Sequence, residues 1–248
     1  MSLRVFADDA PVPAKELAEG VAIELDEDES RYLARVRRAR VEDEVEVFTG
    51  AARWRARIVE LPPKRGPARL ELLGEVALPR RGPARHLLLG LPDRPAALEA
   101  IGAATALDVA EIVMVRCVRT PHGPPNPARI ESVIRATRRQ SGRVDVPAVR
   151  EVGSLAEALE SLGGLPVVYG ASEVLSGTGV TALGSRPLDE VRRAALALAV
   201  GPEGGFAPEE LTLLRTAEAH PMTLGTWILR TELAVAAGLG HLSPPGGG

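Results

Sequence analysis

The sequence predicts an α/β protein in which a mostly parallel sheet with helices on both faces follows a small β-rich domain. From residue 86 onward, short apolar runs alternate with longer helical segments, which is the pattern of βαβ units. Before residue 75, several short stretches alternate apolar and polar residues, which is typical of strands in a small barrel. We therefore expect two domains, at residues 1–75 and 76–248, with the boundary in proline-rich basic sequence.

The expected elements of the first domain are short strands around one helix. Residues 28–37 are expected to be helical, because this stretch begins with acids and ends in arginines, in the sense that the helix dipole favours. The stretches that alternate apolar and polar residues, or that lie between turn signals, predict strands at 3–6, 21–25, 45–48, 54–61 and 70–76.

Arginines recur at regular spacing in this domain. On the predicted helix, Arg31, Arg35 and Arg38 would share one face. Along the later strand around 54–61, Arg53, Arg55 and Arg57 would point the same way. Such a comb of cations suits a phosphate backbone, although charges that only keep a strand soluble would give the same pattern.

The second domain is predicted from alternating strands and helices. Strands are expected at 86–91, 111–118, 165–169, 195–200 and 222–224. Helices are expected at 96–107, 127–141, 155–162, 208–219 and 227–239. Residues 195–200 carry no charge, which predicts a strand buried on both faces.

A glycine-rich turn follows that buried strand directly. Residues 201–205 read GPEGG, and Gly201, Gly204 and Gly205 allow the main chain to approach a ligand closely. Pro208 then begins a helix. Because open α/β sheets bind ligands at the carboxyl ends of their strands, this turn is a candidate binding site. A simple strand-to-helix turn would look similar.

Two further stretches are candidate sites. Residues 224–232 read as a glycine turn that opens a helix, whose first turn would bury Trp227 and Ile228 while Arg230 projects. Residues 135–149 read as a basic helix that stops at Gly142, with Arg143 just beyond. A cation held there would grip phosphate or stabilise an oxyanion, or only satisfy helix carbonyls.

Composition narrows the possible functions. The net charge of −3 conceals two basic blocks, since residues 31–86 carry fourteen basic and seven acidic groups, and 116–150 carry eight and two. Clustered arginine is the footprint of a polyanion binder. The single cysteine, Cys117, excludes a disulfide within the chain and is expected to be buried and inert. The four scattered histidines give no metal motif.

The remaining sequence signals concern location and a rival cofactor. No apolar run is long enough to span a membrane and the N-terminus lacks a signal-peptide pattern, so we expect a cytoplasmic protein. Residues 177–182 match G-x-G-x-x-A, but Gly184 and Pro187 argue against a helix there, so a nucleotide-binding oxidoreductase is only a weak alternative.

Three motifs together resemble a known family. GPEGGF at 201–206, LGTWILRTELA at 224–234 and QSGR at 140–143, after a small basic β domain, are similar to the ribosomal RNA small-subunit methyltransferase E family of the SPOUT superfamily. The segment from residue 31 to 50 is also similar to that family's PUA-like barrel. The resemblance covers most of the chain.

The resemblance implies a fold and an activity. It implies a trefoil-knotted parallel sheet behind an N-terminal PUA-like barrel that binds RNA, in a homodimer without metal or membrane. The implied activity is methylation of N3 of a uridine in 16S rRNA, free or within the small ribosomal subunit, with S-adenosylmethionine (SAM) as cofactor. Methylation there requires loss of the N3 proton and stabilisation of charge on O2 and O4, which an arginine can supply.

The implied site residues fall into three groups. The candidate catalytic residues are Arg143 and Arg230. The candidate cofactor-binding residues are Tyr169, Gly170, Val200, Gly201, Glu203, Gly204, Gly205, Leu224, Gly225, Ile228 and Leu229. The candidate RNA-binding residues are Arg31, Arg35, Arg38, Arg53, Arg55, Arg138 and Arg139.

The chain departs from the family pattern at four places. The usual K-A-T-E-L-G has Ala103 and Ala106 in place of the lysine and the glutamate, Trp227 replaces a common arginine, and Leu233 replaces the threonine of E-T-A. The substrate is therefore less firmly implied than the cofactor. The alternative function is a non-catalytic RNA-binding protein, for which the basic β domain would suffice.

Overall fold

The chain divides into two compact units, and the first of them combines two segments that are distant in sequence. A computed structural model describes residues 3–8, 16–50, 52–62, 66–170, 192–224 and 227–243. The first unit comprises residues 1–80 together with 138–146, and the second comprises 81–137 and 147–248. The boundary near residue 80 lies in the basic, proline-rich stretch, five residues beyond the predicted division.

The first unit is built on a five-stranded sheet. Its strands are β1 (Arg4–Phe6), β2 (Ala22–Glu24), β3 (Glu44–Phe48), β4 (Arg53–Glu60) and β5 (Arg69–Val76). The order is β1-β3-β4-β5-β2, with only the β1–β3 pair parallel. Alternate residues of β4, namely Trp54, Ala56 and Ile58, are buried in the core of this unit. The arginines between them therefore lie on the opposite face, as the period-two pattern predicts.

The predicted helix of this unit is shorter than expected. Helix α1 covers Glu27–Arg31, and Tyr32–Val36 continues as a π-helical turn. Arg38 lies beyond both, in a left-handed conformation with φ of 53°. The prediction that Arg31, Arg35 and Arg38 share one helical face is therefore wrong, because π geometry and the left-handed residue break the helical period. All three remain exposed.

Residues 138–146 pack within the first unit through their arginines. Arg138 pairs with Asp8 at 2.9 Å, and its guanidinium lies 4.6 Å from the ring centre of Phe6. Arg139 pairs with the buried carboxylate of Glu29. Arg4 donates to the backbone oxygens of Arg139 and Gln140 at 2.9 and 2.7 Å, which satisfies carbonyls at a helix C-terminus.

The second unit contains a six-stranded, wholly parallel sheet. Its strands are β6 (Arg85–Gly90), β7 (Glu111–Val115), β8 (Ala148–Val152), β9 (Val167–Gly170), β10 (Leu196–Val200) and β11 (His220–Met222). The order is β11-β9-β10-β6-β7-β8. Its helices are α2 (Arg94–Ala106), α3 (Pro127–Ser141), whose last residues belong to the first unit, α4 (Leu155–Ser161), α5 (Pro208–Thr216) and α6 (Thr231–Leu242).

Helices cover both faces of the parallel sheet, as predicted. Leu196 and Leu198 of β10 face a core with residues from α2, α3 and α6, whereas Ala197 and Ala199 face a core with residues from α4 and α5. This alternation explains why the strand lacks charge: both of its faces are buried. Among the described helices, none has the length and apolar character needed to cross a membrane.

Several elements of the second unit differ from the sequence prediction, including β11, which lies at His220–Met222 instead of 222–224. Strand β8 was not predicted, because Arg150 and Glu151 give it a polar appearance at the sheet edge. Strand β7 ends at Val115, three residues early. The last helix begins at Thr231 instead of Trp227, so the stretch 227–230 is a loop.

Arg85 at the start of β6 is a buried charge whose guanidinium donates to backbone oxygens from several segments. It donates to Leu242 at the C-terminus of α6 at 2.9 Å, and to Arg192 and Ala194 at 2.6 Å each. Burial lowers the pKa of the Arg85 guanidinium, but an arginine remains charged in a protein. The negative end of the α6 dipole is a favourable place for that charge.

Replacing Arg85 should destabilise the second unit strongly. We expect Arg85→Met to lower the free energy of unfolding by about 3 kcal/mol, because several buried carbonyls lose a charged donor at once. The matched control is Arg81→Met, since Arg81 forms an exposed ion pair with Asp108 and should contribute less than about 1 kcal/mol. Urea unfolding of both variants checks this, and equal losses would contradict it.

Candidate active site at the carboxyl edge of the parallel sheet

The carboxyl ends of several strands meet at one edge of the second unit. Strand β10 pairs with β9 through Ala199 and Tyr169, and β9 pairs with β11 through Gly170 and Met222. On its other side β10 pairs with β6. The order changes direction between β6 and β10, since the chain builds outward from β6 through β7 to β8 and then returns to β9 and β10. Such switch points are where parallel sheets bind ligands.

The glycine turn after β10 is as tight as its sequence suggests. The backbone N–H of Gly205 donates to the oxygen of Pro202 at 2.8 Å, and Gly205 has a φ of 68°, which favours glycine. A Cβ on Gly201 would lie 3.1 Å from backbone atoms of Gly205 and Phe206. A side chain at 201 would therefore push the two ends of the turn apart by a few tenths of an ångström.

A second glycine, at the end of β6, accommodates this turn. A Cβ on Gly90 would lie 2.8 Å from the ring of Pro202 and 3.0 Å from the sulfur of Cys117. It would also lie 3.1 Å from the Cα of Gly201. The two strands at the switch point thus pack backbone against backbone, with glycine on each side.

A buried carboxylate joins the glycine turn to the loop after β7. Glu210, in the first turn of α5, accepts a hydrogen bond from the backbone N–H of Ala207 at 2.8 Å and another from that of Val118 at 3.0 Å. Ala207 precedes the helix and has no side-chain acceptor of its own, so Glu210 satisfies the helix start. The N-terminal end of the α5 dipole stabilises the negative charge.

Two more side chains hold the turn. Arg119 donates to the backbone oxygen of Gly204 at 2.6 Å. Glu203 accepts from the backbone N–H of Asp93 at 2.8 Å, and Asp93 caps helix α2 by accepting from the N–H of Ala96. The predicted cofactor residue Glu203 is thus engaged with the start of α2. The turn is fixed from both sides before any ligand arrives.

Cys117 is buried beside the same turn, and its thiol is unreactive. Burial raises the pKa of the Cys117 thiol, and the charge of Glu210 and a hydrogen bond with it raise that pKa further. A thiol held in its protonated form is a poor nucleophile. The sequence prediction of an inert cysteine agrees with this environment.

The loop before α6 is open, contrary to the sequence prediction. Trp227 is 84% exposed and Ile228 is 78% exposed, so the expected burial of both in a first helical turn is wrong. The reason is that the helix begins four residues later, at Thr231, whose hydroxyl donates to the oxygen of Gly201 at 3.1 Å. That bond places the end of the loop against the glycine turn.

The other predicted cofactor residues differ in what they present. The side chains of Tyr169 and Val200 are buried in the two cores, so only their backbones face the edge. Gly170 has open space where a Cβ would stand. Leu224 packs against the core and Leu229 is half-buried. Gly225 lies outside the described residues, as does the stretch 177–182.

The two candidate catalytic arginines belong to different units. Arg143 is in the first unit, where its side chain is 6% exposed and pairs with Asp145 at 2.7 Å. Arg230 is in the second unit, close in sequence to the glycine-bound Thr231, and its side chain is 83% exposed with Glu232 at 3.9 Å. Only Arg230 is presented to solvent.

The candidate RNA-binding arginines also separate into two groups. Arg31, Arg35, Arg38 and Arg55 are exposed and Arg53 is half-buried. The side chain of Arg138 is 4% exposed and forms an ion pair with Asp8, and Arg139 forms an ion pair with Glu29. RNA binding by Arg138 and Arg139 stays a prediction, and the contacts of these two side chains do not support it.

Two residues of the site were not predicted from the sequence. Arg119 stands in a loop without a motif, and only the fold brings it to Gly204. Glu210 appears in the sequence as one of two acids suited to a helix start. Its position three residues after Ala207 is the capping-box spacing, which could have singled it out from Glu209.

Comparisons with known proteins agree with this architecture. The family described as RNA methyltransferase domain matches residues 81–243, and the family described as RNA methyltransferase PUA domain matches residues 25–68. The fold and these matches define the class: an RNA methyltransferase domain joined to a PUA domain.

Similar proteins define the family more closely. Ribosomal RNA small subunit methyltransferase E of Mycobacterium bovis is 30% identical over 237 residues, which cover 89% of this chain and 86% of that protein. The same-named structure from Neisseria gonorrhoeae, bound to S-adenosyl methionine, has a TM-score of 0.78 at 22% identity, covering 97% of this chain and 96% of that one. A Legionella pneumophila protein solved with SAM has a TM-score of 0.77 at 20% identity, covering 98% and 97%. The chain belongs to the ribosomal RNA small subunit methyltransferase E family.

Removing the Glu210 carboxylate should make the Cys117 thiol more reactive. We expect Glu210→Ala to raise the rate at which the thiol reacts with a disulfide reagent at pH 8 by about tenfold or more, since each unit by which the thiol pKa falls gives about ten times more thiolate. Loosening of the two loops acts in the same direction.

The matched control for this measurement is the neighbouring acid. Glu209 is exposed, so Glu209→Ala should react as slowly as the wild type. Because Cys117 is the only cysteine, the signal has a single source. Equal rates in the wild type and Glu210→Ala would contradict the role given to Glu210.

Proposed function

We propose that this chain transfers a methyl group from SAM to N3 of a uridine in 16S rRNA. The single observation that carries the proposal is the preformed glycine turn at the switch point, held by Glu210, Arg119 and Thr231. The family membership and the naming of its relatives support the substrate and the cofactor.

The residues at this edge fit SAM by their chemistry. Thr231, Arg119 and Pro202 already bond to backbone groups of the glycine turn, so the turn's other backbone groups would bind the adenine edge and the amino-acid moiety. Exposed Ile228 offers apolar surface that a purine ring would cover. Exposed Glu203 would complement the positive charges of SAM.

The chain's own residues would orient the reacting groups and stabilise charge. Bound SAM supplies an electrophilic methyl group. The fixed turn would align it with uridine N3, and orientation is worth about 7–11 kcal/mol when it is accurate. Exposed Arg230 is the better placed candidate to stabilise negative charge on the uracil oxygens, because Arg143 already pairs with Asp145.

The remaining features of the proposal concern RNA and assembly. The exposed arginines of the first unit, with Arg55 on the outer face of β4, would contact RNA phosphates. A trefoil knot, a homodimer, a cytoplasmic location and action on free rRNA or on the small subunit remain part of the proposal. Their support is the family membership.

Calorimetric titration with SAM tests the cofactor site. We expect Gly201→Ala to weaken SAM binding by about tenfold or more, because a Cβ forced against rigid backbone costs about 1–3 kcal/mol. The control is Gly240→Ala on α6, where a Cβ would meet nothing within 4 Å and binding should be unchanged.

The outcome of this titration separates the possible functions. Saturable SAM binding that is lost in Gly201→Ala is the expected result. Binding of RNA without any binding of SAM to the wild type would favour the non-catalytic RNA-binding alternative. Binding of NAD in preference to SAM would instead favour an oxidoreductase.

A further inference from the structure

Trp227 is unlike every other aromatic side chain of the protein. The chain has three Phe, two Tyr and two Trp, all among the described residues. Six of them are buried or half-buried, and Trp227 alone is exposed, at 84%. An indole left in water is costly, and the neighbouring Ile228 is exposed as well, so this loop points to a ligand or partner.

The position of Trp227 limits what that partner is. It precedes Thr231 by four residues, and the bond from the Thr231 hydroxyl to Gly201 places the end of its loop at the candidate active site. The indole therefore stands near the site on a loop tethered to it, away from the two apolar cores.

The neighbouring side chains have the chemistry of nucleotide recognition. Arg230 is 83% exposed at its side chain and shares the loop with Trp227. An exposed indole offers a flat apolar face on which a base can stack, and the guanidinium that the proposed function directs at the uracil oxygens belongs to the same loop. Ile228 beside it is also exposed, but the proposed function gives that side chain to the purine of SAM. A protein partner would favour a wider apolar surface with fewer charged side chains at its centre.

We propose that Trp227 is a stacking platform for an unpaired base of the RNA substrate at the entrance to the active site. This inference rests on the proposed function, which requires a base to leave its stack before N3 can be reached.

Tryptophan fluorescence tests the proposal directly with the full-length protein. The chain has two tryptophans, so a Trp54→Phe background leaves Trp227 as the single tryptophan. The probe is a single-stranded, uridine-containing RNA heptamer, and an otherwise identical heptamer with abasic sites is its control. We expect the uridine heptamer to quench the emission and the abasic one to leave it nearly unchanged.

Activity on 16S rRNA gives a second readout. We expect Trp227→Ala to raise KM for RNA by about tenfold or more, the effect of losing one base–aromatic stack, while its Kd for SAM stays unchanged. Trp227→Phe should restore most of the affinity. Leu233→Ala, which removes another exposed apolar side chain from α6, should leave both constants unchanged.

The other outcomes contradict either the stacking proposal or the proposed function. If the uridine heptamer does not quench Trp227, or if Trp227→Ala keeps its KM for RNA, the stacking proposal is wrong. If Trp227→Ala only shifts the oligomeric state in sedimentation, the indole belongs to an interface between copies, and the proposal is also wrong. If the wild type binds no SAM, the proposed function fails, and quenching still decides the stacking claim separately.

Discussion

One buried carboxylate, that of Glu210, sets the geometry on which the candidate active site depends. It accepts from Ala207 after the glycine turn and from Val118 after β7, so two loops from different strands are held at a fixed separation. Arg119, next to Val118 in the same loop, donates to Gly204 in the turn. A glycine-rich turn is otherwise the most flexible part of a chain, and ordering it before binding removes an entropic cost that the cofactor would have to offset.

The arginines of the first unit serve two purposes that composition cannot distinguish. Arg4, Arg138 and Arg139 are used internally, in ion pairs with Glu46, Asp8 and Glu29, and two of them lie over the ring of Phe6. Arg55 on the outer face of β4 and the arginines around the π-helical turn remain exposed. The cationic surface available to RNA is therefore smaller than the arginine count suggests, which makes an aromatic contact such as Trp227 more valuable for affinity.

The sequence predicted what depends on local pattern and missed what depends on the fold. Apolar runs located four of the six parallel strands and GPEGG located the turn, because burial and glycine geometry are encoded in adjacent residues. The prediction at 222–224 overlaps β11 only at Met222. Strand β8 was missed because half of an edge strand is polar. The start of α6 was misplaced because Trp227 and Ile228 look like core residues, although their exposure is what a binding loop requires. Arg119 gave no signal, since its partner lies 85 residues away in sequence.

The most direct test of this account is to identify the nucleoside that the protein modifies. Purified protein would be incubated with labelled SAM and 16S rRNA, both deproteinised and within small ribosomal subunits, and the RNA digested for mass spectrometry. The account predicts methyl transfer to N3 of a uridine, lost in Gly201→Ala and retained in Gly240→Ala. Methyl transfer to a ribose or to another base, or no transfer despite saturable binding of SAM, would contradict it.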